Sequence, residues 1–304
     1  MAMLFKKASD GIPVNSLKYL LHRHMAGWDA PRSLKTIHAS ELTKEAGFCP
    51  RYVALHDKLQ PKHQGSWITT SERMTYDIGH MVQARVIDYL ADMNKAVCHW
   101  RCYGCHWLHE FTTRPTSCAK CASRGFRAEE VRFTSAVSGA SGGIDILAQL
   151  GEGKLTTVEI KTMAPDAFKE LVAPLAEHKQ RTSLYLRLIA ESDHNWSKLV
   201  ATNKAVILYV SKGGFGVQDE QPKKWQLTDR FSPFKEFEVK RDDSLTDEPT
   251  RRAVVVKQFR AGNVGMPQGI CVTAVSKRAS NCRLKAQCFS GEFPPQYDWK
   301  GEKV

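Results

Sequence analysis

Two Cys-x-x-Cys pairs, Cys102-Tyr-Gly-Cys105 and Cys118-Ala-Lys-Cys121, stand twelve residues apart within the first half of the chain. Each pair lets two thiolates reach one ion, and two pairs supply the tetrahedral four-sulfur set of structural zinc. From Cys98 to Arg127 the apolar periodicity stops and Cys, His, Gly and Pro dominate. The segment therefore reads as a zinc-ribbon-like insertion held by Zn²⁺ rather than as continuous core, with Cys98, His99, His106 and His109 as alternative ligands. A redox role for the Cys-x-x-Cys pairs lacks a thioredoxin-like context. The chain has nine cysteines, so two sets of four leave one thiol over.

Composition narrows the class. A chain of 304 residues has room for about two domains. With 42% hydrophobic and 25% charged residues it fits a folded, water-soluble protein, and disorder, collagen-like repeats and a membrane-embedded class fit poorly. Lys and Arg exceed Asp and Glu by 44 to 32, a net +12 that suits a polyanionic partner. The N-terminal stretch lacks the roughly 7–15-residue apolar run of a secretory signal, and no segment reaches the roughly 18 apolar residues of a spanning helix. A cytoplasmic protein without a membrane partner is expected, and in a reducing compartment clustered cysteines point to metal rather than disulfides.

Patterning divides the rest. Residues 1–60 read as helical and basic, with Ser40 as an N-cap before ELTKEA and a boundary at Cys49-Pro50. Residues 72–95 carry apolar side chains at helical spacing and read as one long helix. EVRFTSAV, GGIDILAQL and KLTTVEIKTM read as a β-meander with a turn at Gly151–Gly153. Residues 166–192 return to helical spacing with a kink or break at Pro174. KAVILYVSK reads as a short buried strand, KEFEVKRDD as a further strand, residues 245–260 as a helix, and the stretch from Gly262 as loop. The expected organisation is 1–97 helical, 98–127 ribbon, 128–261 α/β core and 262–304 a cysteine-rich tail.

Within the meander, Glu159 and Lys161 are two apart on a strand and leave the same face, with Val158 and Ile160 directed into apolar packing. In the right register, Asp145 of GGIDIL joins them. Two carboxylates on one face bind a hard divalent cation through oxygen, and a lysine beside them can position an attacking water or offset phosphate charge. The preceding Ser-Gly-Gly lets backbone approach closely.

Gly142-x-x-Asp145 followed by Val158-Glu159-Ile160-Lys161 resembles the PD-(D/E)xK nuclease signature, in particular its RecB-like branch. The resemblance implies an α/β core with a central mixed sheet flanked by helices. It implies Mg²⁺ or Mn²⁺ held by His80, Asp145, Glu159 and the Ile160 carbonyl, with Lys161 beside them. Gly79-His80 is similar to the family's upstream helix histidine. Pro174 and Glu177-His178-Lys179-Gln180 leading to Leu184-Tyr185-Leu186 resemble its Gln-x-x-x-Tyr helix. Gln180 and Tyr185 are five apart rather than four, and Arg181 stands four before Tyr185, so either Gln180 or Arg181 faces the site.

Cys49, Cys271, Cys282 and Cys288 are similar to the ligands of iron–sulfur RecB-like nucleases, which place one cysteine before the core and three after it. The resemblance implies a [4Fe–4S] cluster stapling the two ends. The ten residues between Cys271 and Cys282 exceed the usual two, and a second zinc or free thiols are the competing readings for this set. The implied activity is hydrolysis of DNA, single-stranded with a free end, in recombination, repair or phage DNA processing, with a helicase or recombination partner. A non-catalytic DNA-binding adaptor and a structure-specific endonuclease are the alternatives. Arg114, Lys120, Arg124 and Arg127 around the ribbon, and Lys277, Arg278, Arg283 and Lys285 around the last cysteines, offer phosphate contacts. Trp107, Phe111 and Phe126 offer rings for unpaired bases or cover for the ribbon's core.

Overall fold

A computed structural model describes residues 17–28, 34–44, 47–60, 67–213, 232–298 and 302–303. The chain divides into two units, residues 1–33 with 61–81, and residues 34–60 with 82–304. In the first, helix α1 (Leu17–Met25) precedes a two-residue antiparallel ladder between β1 (Gly27–Trp28) and β3 (Trp67–Ile68). Helix α4 (Thr70–Asp92) starts here and ends in the second unit. Its start is fixed by a reciprocal cap. The Thr69 N–H donates to Glu72 at 2.8 Å, and the Glu72 N–H donates to the Thr69 hydroxyl at 3.2 Å, which places the first turn two residues earlier than the apolar spacing suggests.

The second unit is a mixed α/β body built on a seven-stranded sheet in the order β12-β11-β10-β9-β4-β5, with β6 also paired to β4. The strands are β4 (Ala96–Cys102), β5 (Leu108–Thr112), β6 (Phe126–Glu129), β9 (Ile146–Ala148), β10 (Leu155–Met163), β11 (Val200–Ser211) and β12 (Phe234–Lys240). Among the described strands of this sheet, only β10 and β11 run parallel, joined by a crossover through α5 (Pro165–Glu170) and α6 (Ala176–Ala190). The break between those helices spans Pro174, which cannot continue a helix. Strand β11 has twelve residues and is longer than its apolar run: Val200 pairs with Leu155, the polar Thr202-Asn203-Lys204 fall in a register shift against β10, and pairing resumes at Ala205↔Thr157, with Lys204 opposite Lys240 of β12.

A second, three-stranded sheet has the order β2-β8-β7, formed by β2 (Ile37–His38), β8 (Ala140–Ile144) and β7 (Val131–Thr134). The expected meander is therefore split, with β7 and β8 in one sheet and β9 and β10 in the other. The core fills the space around these sheets and α6, with Trp100, Phe133, Ile144, Leu147, Leu184 and Ile189 fully buried. Helix α2 (Ala39–Leu42) contains Ser40. Its N-cap is His38, and no side chain caps it, which corrects the expected Ser40 cap.

Helix α3 (Pro50–Leu59) begins with Pro50 at its first turn and Cys49 as N-cap. It packs against α7 (Asp247–Arg260), while the short helices α8 (Lys277–Ser280) and α9 (Lys285–Phe289) punctuate the tail. Ala54 and Leu55 of α3 share an apolar cluster with Met266 and Leu284, so the tail returns onto α3 through packing as well as through the hydrogen bonds of Arg51. Ribbon and sheet are continuous. Ala96 and Val97 of β4 pair with β9, and Cys98–Cys102 pair with β5 and β6, so the expected boundary at 97/98 falls inside one strand.

Candidate active site and metal centre

Asp145 is the single residue between β8 and β9, at the point where the chain passes from the small sheet to the large one. Beyond β9 the edge of β10 has lost its ladder partner. The Asp145 carboxylate takes the vacated place, with Oδ2 accepting the Ile160 N–H at 2.8 Å. In a strand the N–H and C=O of one residue leave the same edge, so the Ile160 carbonyl faces the Asp145 side. The neighbouring Glu159 is buried, its side chain 2% exposed, and one oxygen pairs with the Lys161 ammonium, whose side chain is 21% exposed. The other, Oε2, has no hydrogen-bond partner, an arrangement costly for a buried carboxylate without a further ligand.

The three groups share an unequal electrostatic load. Burial, then the Asp145 charge, push Glu159 up to about 7 against the opposing pull of Lys161. Burial also raises Asp145, opposed by Lys161 and the Ile160 N–H. Burial works to lower Lys161, but the Glu159 and Asp145 charges outweigh it and raise it. The lysine, nearer solvent, keeps its charge, and Glu159 carries the penalty.

This shift has a definite sign. The folded protein holds a proton on Glu159 that the unfolded chain releases near its ordinary value of 4.5, so that stability is present below pH 4.5 and is lost as pH rises through about 7. A divalent cation held by Glu159 would have to displace the same proton. Its affinity is therefore expected to be about tenfold weaker at pH 6 than at pH 8. Calorimetric titration of Mn²⁺ across that range checks this, and a pH-independent affinity would contradict it.

Tyr185 of α6 lies over Gly142, where a Cβ would meet its ring at 2.8 Å, so the glycine answers a close approach. Burial, then the Glu159 and Asp145 charges, raise the phenol strongly, and it stays protonated as a donor. Gln180 turns away and donates to the Leu245 carbonyl at 2.9 Å. Arg181, which donates to the Thr43 hydroxyl at 3.3 Å, acts electrostatically on Glu159, Lys161 and Tyr185. Of the two alternatives on this helix, Arg181 is the one whose charge acts on Glu159 and Lys161. His80 lies exposed on α4 within the first unit, and the cluster described here is drawn from the second unit alone.

Two neighbours were not singled out from sequence. His178 bonds the Tyr209 hydroxyl at 2.8 Å, and burial, then Lys161 and Arg181, lower it to about 4. It lies three before Arg181 and seven before Tyr185, a spacing that marks one helix face. Glu130 precedes β7, and continuing the Val131↔Ile144 register by one residue sets it opposite Asp145. Its carboxylate lies over Gly143 and adds to the negative field on Asp145.

The ribbon cysteines converge. The sulfurs of Cys102, Cys105, Cys118 and Cys121 all lie within 4.8 Å of one another. Cys102 lies 3.5 Å from Cys121, and Cys105 lies 3.6 Å from Cys118. The Gly104 N–H points at the Cys102 sulfur at 3.3 Å and the Lys120 N–H at the Cys118 sulfur at 3.4 Å. Four sulfurs at this separation fit a tetrahedral metal site, zinc or iron. Cys98 is the thiol left over. It is buried in β4, and burial pushes it up to about 12, so it packs as an apolar residue. His109 packs edge-on against Phe126, and His99 against Trp196, outside the four-sulfur group.

The second cysteine set is looser. Burial, then other groups including the charges of Cys49 and Cys271, act on both Cys282 and Cys288, so the four thiols share one neighbourhood. Among the described residues, they do not form a group as tight as the ribbon's. A cubane cluster binds each thiolate through a different iron and asks for wider spacing than one ion does. Arg51 is buried here, donating to the Cys288 sulfur at 3.1 Å and to the Pro267 and Cys288 carbonyls at 3.2 and 3.0 Å. A buried guanidinium calls for a counter-charge, which ligating thiolates would supply.

Neither a family model nor a curated protein matches the chain. Among solved structures, the crystal structure of SSO0001 is similar at a TM-score of 0.35 and 13% identity, over 90% of this chain and 94% of that one. A likeness at that level carries no argument about function. No helix among the described residues is long and apolar enough to cross a membrane.

Proposed function

We propose that the protein is a metal-dependent deoxyribonuclease of the PD-(D/E)xK type, RecB-like, acting on single-stranded DNA ends. The observation that carries this reading is the meeting of Asp145, Glu159 and Lys161 where the sheets part, with one buried Glu159 oxygen lacking a partner. Asp145, Glu159 and the Ile160 carbonyl would hold Mg²⁺ or Mn²⁺. Such a cation supplies positive charge to a phosphate oxygen during hydrolysis. Lys161, anchored by Glu159, directs an ammonium to the partly open side of the site, where it orients the attacking water or offsets developing charge. Arg181 adds a second positive group, and Tyr185 a neutral donor, on the α6 side.

Incubation with end-labelled linear and circular single strands and duplexes, with Mn²⁺ or with EDTA, tests the reading. Mn²⁺-dependent shortening of linear single strands is expected. No cleavage of any substrate would leave a binding adaptor, and cutting of circles would indicate an endonuclease. Within this scheme, Arg181→Gln is expected to lower kcat/KM by about tenfold to a hundredfold, the cost of one charged contact to the transition state. Gln180→Ala is expected to leave kcat/KM within about threefold, because its side chain serves the Leu245 carbonyl. Equal losses in the two variants would remove Arg181 from the site.

For Cys49, Cys271, Cys282 and Cys288 we propose a [4Fe–4S] cluster, supported by their shared neighbourhood and the buried Arg51.

A further inference from the structure

The ribbon's aromatic residues fall into two classes. Phe126 is 8% exposed and belongs to the core, and Phe111 stacks on Trp196 with ring centres 4.9 Å apart. Tyr103 and Trp107 are 62% and 50% exposed. Both sit on the first knuckle, beside Cys102 and Cys105, and its backbone holds them. The Tyr103 N–H donates to the Gly125 carbonyl at 3.0 Å, and the Trp107 carbonyl accepts the Cys102 N–H at 2.9 Å. The Tyr103 ring rests on Gly125, where a Cβ would come within 3.1 Å of it. Exposed rings fixed by a metal knuckle give up little conformational entropy when a flat partner covers them.

The charge around these rings is positive. The Lys120 ammonium stands 5.3 Å from the centre of the Trp107 ring, and Arg124 is exposed on the same loop. Residues 98–127 carry five Lys and Arg against one acid, Glu110, an excess that outweighs the net negative charge four thiolates leave on a divalent ion. Arg114 and Arg127 are engaged elsewhere, Arg114 with Asp88 and Asp92 of α4, and Arg127 with Glu129 at 3.1 Å. Lys120 and Arg124 are thus the basic groups nearest the exposed rings with no described acidic partner. Exposed rings beside ammonium and guanidinium groups match unpaired bases on a phosphate backbone.

We infer that Tyr103 and Trp107 form a stacking platform for single-stranded nucleic acid, with Lys120 and Arg124 meeting its phosphates. The platform does not depend on the acidic site being catalytic, and its test is made without turnover. Binding of a labelled oligodeoxynucleotide to the zinc-loaded protein is measured by anisotropy with no added Mg²⁺ or Mn²⁺. Tyr103→Ala with Trp107→Ala is expected to weaken binding by at least about tenfold with zinc content unchanged, since stacking on one ring is worth roughly that factor or more. Tyr103→Phe with Trp107→Phe keeps the rings and is expected to bind within about threefold of the parent. An oligonucleotide with abasic sites should lose affinity for the parent and show little further loss with the alanine variant. The inference is overturned if the zinc-loaded alanine variant binds like the parent, as it would if this patch served a protein partner. It is also overturned if abasic and alanine losses simply multiply, since the rings then do not contact bases.

Discussion

Glu159→Gln is expected to slow Mn²⁺-dependent cleavage of linear single strands by at least about 10³-fold, equivalent to roughly 4 kcal/mol of transition-state stabilisation. The substitution keeps the volume of a buried side chain and removes its charge. The proposed cation would lose an anionic ligand, and the Lys161 ammonium loses its anchor. Asp145→Asn should act similarly, although its amide would also present N–H groups where Oδ2 now accepts from Ile160, disturbing the split between β8 and β9. Rates under single-turnover conditions, with thermal melts to establish folding, decide the matter. A folded Glu159→Gln variant that cleaves at the parent rate would show that nucleolysis, if present, belongs to another site.

Cys118→Ser is expected to abolish metal binding at the four-sulfur group of the ribbon, zinc in the proposed reading. Structural zinc contributes about 10–16 kcal/mol of apparent binding free energy in small zinc-dependent peptides. A segment as poor in apolar core as residues 103–125 has little else to hold its two knuckles, so chelation or loss of one thiolate should disorder it. The metal content of the ribbon should be lost, and amide exchange should accelerate across the ribbon while β10 and β11 stay protected. Cys98→Ala supplies the contrast, with zinc retained and a packing cost of order 1 kcal/mol. Metal retained in folded Cys118→Ser would refute the four-sulfur site. Iron and acid-labile sulfide in anaerobically purified protein report on the second cysteine set, and their absence would reject a cluster there.

The legible parts of the sequence were those where local chemistry and tertiary environment agree. The knuckles were readable because spacing alone brings paired thiols together. The strand carrying Val158-Glu159-Ile160-Lys161 was readable from its β-branched run and the glycines that bound it. The sheet split at Asp145 was not, since a one-residue change of sheet leaves no periodicity to detect, and GGIDILAQL scans as one strand. Glu130 was equally hidden, because its place beside Asp145 is set by cross-strand register rather than by a motif. The choice between Gln180 and Arg181 depends on a rotation of α6 that packing of Leu184, Leu188 and Ile189 decides. The exposure of Trp107 against the burial of Phe126 likewise depends on the closed ribbon, which composition cannot supply.

Strand β4 gives the ribbon an unusual attachment. Its seven residues, Ala96 to Cys102, contain neither glycine nor proline and pair along their length first with β9 and then with β5 and β6. Accessory modules commonly hang from flexible tethers that let them swing. Here the joint is an axle rather than a hinge, so a ligand of the kind inferred for the knuckles would be presented to the sheet from a direction set by β4.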